Sequence, residues 1–304
     1  MIRRRLLTLV PTLLGVVTLV FAFLHLVPGD PVDVMLGETA RAADKAALRA
    51  ELGLDRPLLA QYGAYLAGLS RGDLGRSLAF RKPVSTVVGA RVPATLALAG
   101  CGLAVALAVS IPVGVLAAAR KDTLWDRGSL VGSLVAASMP RFWLGPLLIL
   151  LFSVHCRWLP VSGREGWRSL VLPSLTLGTG LAAVLARMLR SSLVEVLRAE
   201  YLQAARARGV SEAKILWVHA LRNGSLPVLT LLGLQIGGLL SGAVITETVF
   251  AWPGIGSLLV QAIQARDYPL VQGCVLVISA GYLAANLLTD VLYRWADPRV
   301  RLEG

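Results

Sequence analysis

Residues 195–227, EVLRAEYLQAARARGVSEAKILWVHALRNGSLP, decide how this chain is built. They form a polar island between two apolar runs, VLPSLTLGTGLAAVLARML at 171–189 and PVLTLLGLQIGGLLSGAVIT at 227–246. Each flank is long enough, at about 1.5 Å per helical residue, to cross roughly 30 Å of hydrocarbon. The island reads as two short amphipathic helices parted by Gly209. A rigid polar elbow held between membrane spans is a docking element, something for a partner outside the bilayer to push on.

Similar runs recur along the 304 residues, near Leu6–Val27, Ala94–Ala119, Ser129–Val154, Val171–Leu189, Pro227–Thr246 and Leu270–Tyr293. Breakers and charges separate them, at Pro28–Pro31, Arg120–Asp122, Trp158–Pro160 and Trp252–Gly254. With 56% hydrophobic and 16% charged residues, the composition lies far from that of an ordinary soluble domain. The expected fold is an all-α polytopic membrane protein of six transmembrane helices. It is a single domain over 1–304, with a long segment at 28–93 after the first span and the loop 195–227 between the fourth and fifth.

Basic residues set the orientation. Placing both termini in the cytoplasm puts sixteen Lys and Arg in the short inner segments and four, Arg157, Arg164, Arg168 and Arg266, in the short outer loops. That is the positive-inside bias. The 28–93 segment is then external; its nine basic residues are accompanied by seven acids, and long loops translocate regardless of charge. The net charge of +12 therefore reports topology before it reports nucleic-acid binding. Arg3–Arg5 ahead of an apolar stretch resembles a signal peptide. The stretch ends in Val27-Pro28-Gly29-Asp30-Pro31 rather than a small-residue cleavage site, so it reads as a retained span.

Cys101, Cys156 and Cys274 are odd in number, and His25, His155 and His219 are scattered; no metal cluster and no nucleophile beside a base is visible. None of Lys45, Lys82, Lys121 and Lys214 follows a glycine, so the chain lacks the Gly-Lys of a phosphate-cradling loop. If it drives transport with ATP, another chain hydrolyses the nucleotide.

Within the island, Tyr201, Ala204, Ala205 and Arg208 share one helical face, where the two alanines permit close approach of another backbone. Gly209 suits the left-handed residue that ends a helix. Ser211 follows as an N-cap and Glu212 falls in the first turn, where the helix dipole favours an acid. Val210 and Ile215 stand as a hydrophobic staple, with Ile215, Val218 and Leu221 as the apolar stripe. The same features suit a connector resting on lipid headgroups or, more remotely, a DNA-binding helix-turn-helix.

Gln203-Ala204-Ala205-x3-Gly209 resembles the Glu-Ala-Ala-x3-Gly loop of the membrane subunits of ATP-binding-cassette importers, with glutamine in place of glutamate. The extension through Arg206, Val210 and Ser211 to His219-Ala220-Leu221-Arg222-Asn223 and Leu226-Pro227 is similar to the peptide and nickel branch. So are Leu26–Pro31, Leu52–Pro57 with Gln61-Tyr62, Gly72–Ser77 and Arg91–Leu96. Pro140-x-Phe142-Trp143-Leu144-Gly145, Glu247-x-Val249-Phe250-x2-Pro253-Gly254-x-Gly256, Arg266–Pro269, Gln272-Gly273 and Asp297–Arg299 continue the series. The ordered set is specific where each motif alone is weak.

The resemblance implies a permease of the bacterial or archaeal cytoplasmic membrane. It would pair with a homologous second permease, two ATPase subunits that bind ATP and Mg, and an extracytoplasmic binding protein. The chain itself would hold no cofactor or metal and would bind no nucleic acid. Coupling to the ATPase falls to Gln203, Ala204, Ala205, Arg206, Gly209, Val210, Ser211 and Glu212. The cargo implied is a short peptide, with chelated nickel or glutathione as alternatives. A self-sufficient secondary transporter would want internal repeats or several mid-span acids or histidines. The segment 28–93, with a helix expected at Ala42–Leu52 and a turn at Ser70–Asp73, is placed over the outer mouth.

Arg141 stands out, since an arginine at mid-membrane costs about 2.5–3.5 kcal/mol even on lenient insertion scales. It is expected to face protein or water, lining a pathway and meeting a substrate carboxylate, Glu247 or Asp290, or else forming an inter-helix contact. Pro140 should bend the third span. Ser138, Met139, Pro140, Arg141, Glu247 and Asp290 make up the candidate pathway or gate.

Overall fold

A computed structural model describes residues 2–26, 31–37 and 40–296. The helices run in order α1 (Ile2–Leu26), α2 (Pro31–Leu36), α3 (Ala42–Leu52), α4 (Leu58–Ser70), α5 (Val84–Gly89), α6 (Val92–Ala119) and α7 (Leu124–Ser138). There follow α8 (Arg141–His155), α9 (Arg168–Val196), α10 (Glu200–Ala207), α11 (Glu212–Gly224), α12 (Leu226–Val249), α13 (Ile255–Gln264) and α14 (Tyr268–Ala296). Among the described residues the only β pairing is one isolated bridge between Arg76 and Pro83. The expected helix over Ala42–Leu52 is α3, ended by Gly53 at φ +66. The expected turn holds Gly72 at φ +75. The motifs at Leu26–Pro31 and Asp297–Arg299 fall mostly outside the described residues.

By length and apolarity, Val84–Ala119, Arg168–Val196 and Tyr268–Thr289 can each cross a membrane. Two bent pairs raise the total to as many as five among the described residues. Helix α1, 25 residues at Ile2–Leu26, lies where the first span was expected, and its part Pro11–Leu26 is apolar. The expected third span is not one rod: Leu124–Ser138 and Arg141–His155 meet at 104°. The cause is Pro140, which lacks an N–H and holds Met139 extended at φ −74, ψ 118. The Pro140 carbonyl then starts α8 by accepting the N–H groups of Trp143 and Leu144, each at 3.0 Å. A milder 52° bend separates Glu212–Gly224 from Leu226–Leu239.

The chain divides into two compact units. One comprises Met1–Thr95 and Pro253–Gly281. Its core joins Val84 and Val88 of α5 to Ile255, Leu258 and Ala262 of α13 and to Leu270, Val271 and Cys274 of α14. Asp267, fully buried, accepts the Ser77 hydroxyl at 2.5 Å and the N–H groups of Ala79 at 3.0 Å and Leu270 at 3.1 Å. One carboxylate thus caps α14 and clasps the Gly72–Ser77 motif. In the same unit, a Lys45 ammonium 2.8 Å away holds the Asp33 carboxyl below its usual range. Burial pushes the Tyr65 phenol up to about 12.

The other unit comprises Leu96–Trp252 and Tyr282–Gly304. Helix α9 runs through it, buried at positions from Ser169 to Leu193. Small residues set its packing, as expected where helices gain nothing from leaving lipid. A Cβ on Gly178 of α9 would sit 2.5 Å from the Gly102 carbonyl of α6. Gly233 and Gly237, one turn apart on α12, likewise leave no room for a Cβ beside Thr289 and Tyr282 of α14.

Candidate functional site

The elbow begins where α9 ends. In α10, Leu202 is fully buried while Gln203 and Ala204 are exposed and Ala205 is half-buried. The helix stops in a Schellman motif: Val210 N–H donates to Ala205 carbonyl at 3.2 Å and Gly209 N–H to Arg206 carbonyl at 2.9 Å. Gly209 takes φ +80 with open space where a Cβ would lie. Ser211 occupies the N-cap position of α11 at φ −62, ψ 143, but its hydroxyl makes no cap hydrogen bond. Glu212 lies in the first turn and pairs with Arg206, Nε to Oε1 at 2.7 Å and Nη2 to Oε2 at 3.4 Å. Arg206 Nη1 also reaches the Leu197 carbonyl at 3.4 Å. The two elbow helices are tied again where Asn223 Nδ2 donates to the Tyr201 hydroxyl at 2.7 Å.

The apolar stripe of α11 differs from the one expected. Ile215 and Ala220 are fully buried and Gly224 is buried, whereas Val218 is 53% exposed. Turns over Ile215–Ala220 are wide, so residues five apart align where ordinary helical spacing would align three or four. Gly224 completes the seam against Leu193 of α9, where a Cβ would come within 2.6 Å of the leucine side chain. The elbow is therefore fixed to α9 along one face and presents Gln203, Ala204, Gly209, Ser211 and Glu212 on the other.

Around Pro140, Ser138 is exposed at the end of α7 and Met139 and Arg141 are half-buried. Arg141 Nη1 donates to the Gly238 carbonyl at 3.5 Å, and among the described residues no carboxylate pairs with its guanidinium. The side chain lines a cavity of about 200 Å³ with Met139, Thr176, Val184, Gln235 and Leu239. Glu247 is fully buried near the end of α12. Asp290 lies on α14, with its side chain outside the described residues. Ser138, Met139, Pro140 and Arg141 are thus local to one break. Among the described residues, no three His, Cys, Asp or Glu side chains gather to hold a metal.

One ion pair escapes a reading of sequence. The Arg190 guanidinium grips Asp126 with both prongs, Nε to Oδ1 at 2.5 Å and Nη2 to Oδ2 at 2.6 Å. Asp126 Oδ2 also accepts the Asp122 N–H at 2.9 Å. Arg190 lies in α9 less than two turns before its end, so this clamp braces the helix from which the elbow hangs.

Residues 110–302 match the model of the family described as binding-protein-dependent transport system inner membrane component. Residues 1–99 match that of the N-terminal part of such membrane components. The dipeptide transport system permease protein DppB of Escherichia coli strain K12 is 43% identical over 332 aligned positions, covering 99% of this chain and 98% of that protein. The di/tripeptide transport system permease protein DppB of Pseudomonas aeruginosa strain UCBPP-PA14 is 44% identical with the same coverage. The glutathione transport system permease protein GsiC of Salmonella choleraesuis strain SC-B67 is 44% identical over 298 positions, covering 98% of this chain and 97% of that one. Among solved structures, a chain of the inward-facing MetNI methionine ABC transporter superposes with a TM-score of 0.58 at 19% identity. It covers 69% of this chain and 96% of the other.

Proposed function

The chain belongs to the family of binding-protein-dependent transport system inner membrane components, and from that membership we propose that it imports short peptides as one permease of an ATP-driven complex. It pairs with a homologous second permease and two ATPase subunits, which bind the ATP and Mg. An extracytoplasmic binding protein delivers the cargo. The complex sits in a bacterial or archaeal cytoplasmic membrane, with six spans in this chain and both termini inside. Residues 28–93 lie outside, against the binding protein.

The observation that carries this reading is the elbow. It is rigid, bound to α9, exposed on its far face, and placed in a chain without a Gly-Lys phosphate loop of its own. A partner that closes on ATP can push Gln203, Ala204, Ala205, Arg206, Gly209, Val210, Ser211 and Glu212 as one body. The push passes through the Gly224–Leu193 seam into α9 and so switches the pathway between outward and inward access. The break at Ser138–Arg141, with Glu247 and Asp290, forms that pathway and its gate.

Peptide cargo is supported by the dipeptide and di/tripeptide permeases at 43–44% identity. A second reading, glutathione, is favoured by the equally similar GsiC permease. Vesicles holding the assembled complex, supplied with its binding protein and internal-face ATP, separate them. Uptake of labelled dialanine supports the first, and uptake of labelled glutathione alone supports the second. ATP-independent uptake by this chain alone contradicts both.

A further inference from the structure

The cavity beside the Pro140 break carries one sign of charge. Of its lining residues, Arg141 is the one with a formal charge, and among the described residues only the 3.5 Å contact to the Gly238 carbonyl occupies its guanidinium. Gln235, across α12, has no hydrogen-bond partner for its amide among the described residues. Thr176 is already committed, its hydroxyl donating to the Leu172 carbonyl at 2.9 Å. The remaining walls, including Met139, Leu181 and Val184, are apolar. The free donors therefore come from a planar guanidinium and a primary amide, in a setting whose low dielectric strengthens any anion they hold. A carboxylate matches the guanidinium fork and leaves an oxygen for the amide. At about 30 Å³ per water, the cavity has room for roughly half a dozen waters, or for one end of a peptide rather than the whole.

Resting on the peptide-importer reading, we propose that this cavity receives the free carboxylate of the cargo. Arg141 is its specificity-determining residue, with Gln235 as the second donor. Cargo ending in a carboxylate is passed on; cargo ending in a neutral amide meets an unneutralised arginine and an apolar wall.

The test uses the complete complex in vesicles with saturating binding protein, comparing dialanine with dialanine amide at equal loading of that protein. Wild type is expected to move the free acid faster than the amide. Arg141→Gln should slow the acid by about tenfold or more relative to the amide, the worth of a charge-assisted hydrogen bond, so that the acid-to-amide ratio collapses. Arg141→Lys, which keeps the charge and loses the fork, should fall between. Equal slowing of both cargoes by Arg141→Gln, or no slowing of either, would overturn the proposal. If that variant does not assemble, Gln235→Leu decides: selective loss of acid transport upholds it and an unchanged acid-to-amide ratio overturns it. Failure of the wild-type complex to move either peptide would overturn the importer reading itself, a result distinct from unselective transport.

Discussion

Asp126 and Arg190, 64 residues apart in the chain, form a two-pronged ion pair that joins the start of α7 to the last turns of α9. Asp126 is buried to 1% exposure, so removing Arg190 strands a carboxylate away from water. Asp126→Ala and Arg190→Ala should each lower the melting temperature of the solubilised complex. The double variant should lose less than the sum, with a coupling of roughly 1–3 kcal/mol. Strictly additive losses would mean that the pair contributes geometry alone.

Gly209 tests the elbow without touching its contacts. A methyl there meets open space, so Gly209→Ala carries only the left-handed backbone cost of about 1–2 kcal/mol. The expected result is a complex that still assembles but whose ATP hydrolysis responds several-fold less to loaded binding protein. Gly209→Asn, which tolerates that backbone better, should recover part of the response.

Gln203 is exposed, and among the described residues its side chain makes only a long 3.4 Å hydrogen bond, to the Arg198 carbonyl. Gln203→Ala should therefore change stability by no more than about 0.5 kcal/mol. It should nevertheless weaken retention of the ATPase during purification, because the lost contact lies in the partner. A drop in melting temperature with retention unchanged would place Gln203 in the fold and not in the interface.

Gly178→Ala should be the most damaging of these small changes. The neighbour it meets at 2.5 Å is a backbone carbonyl, which cannot swing aside as a side-chain tip can. A loss of about 1–3 kcal/mol is expected, read as reduced yield and a lower melting temperature. Gly180→Ala, two residues away with nothing within 4 Å, is the control.

Features carried by a single residue's backbone were legible from sequence. Gly209 suits a left-handed helix end and Pro140 suits a bend, because each residue favours that backbone locally. Arg141 was legible as a cost, since an arginine amid apolar residues needs an explanation. What sequence could not supply was long-range or depended on packing. The wide turns of Ile215–Ala220, packed against α10, move the buried stripe from Val218 to Ala220. The Asp126–Arg190 clamp has no local signature. Ser211 sits at the predicted N-cap without its capping bond, so position was legible there and side-chain geometry was not.

The most direct measurement is ATP hydrolysis by the complex that co-purifies with this chain, reconstituted with its binding protein and titrated with a pool of short peptides. Hydrolysis that rises with peptide, and rises less in Gly209→Ala, is the predicted result. A chain that brings no ATPase with it, or an ATPase indifferent to both peptide and elbow, would contradict the account.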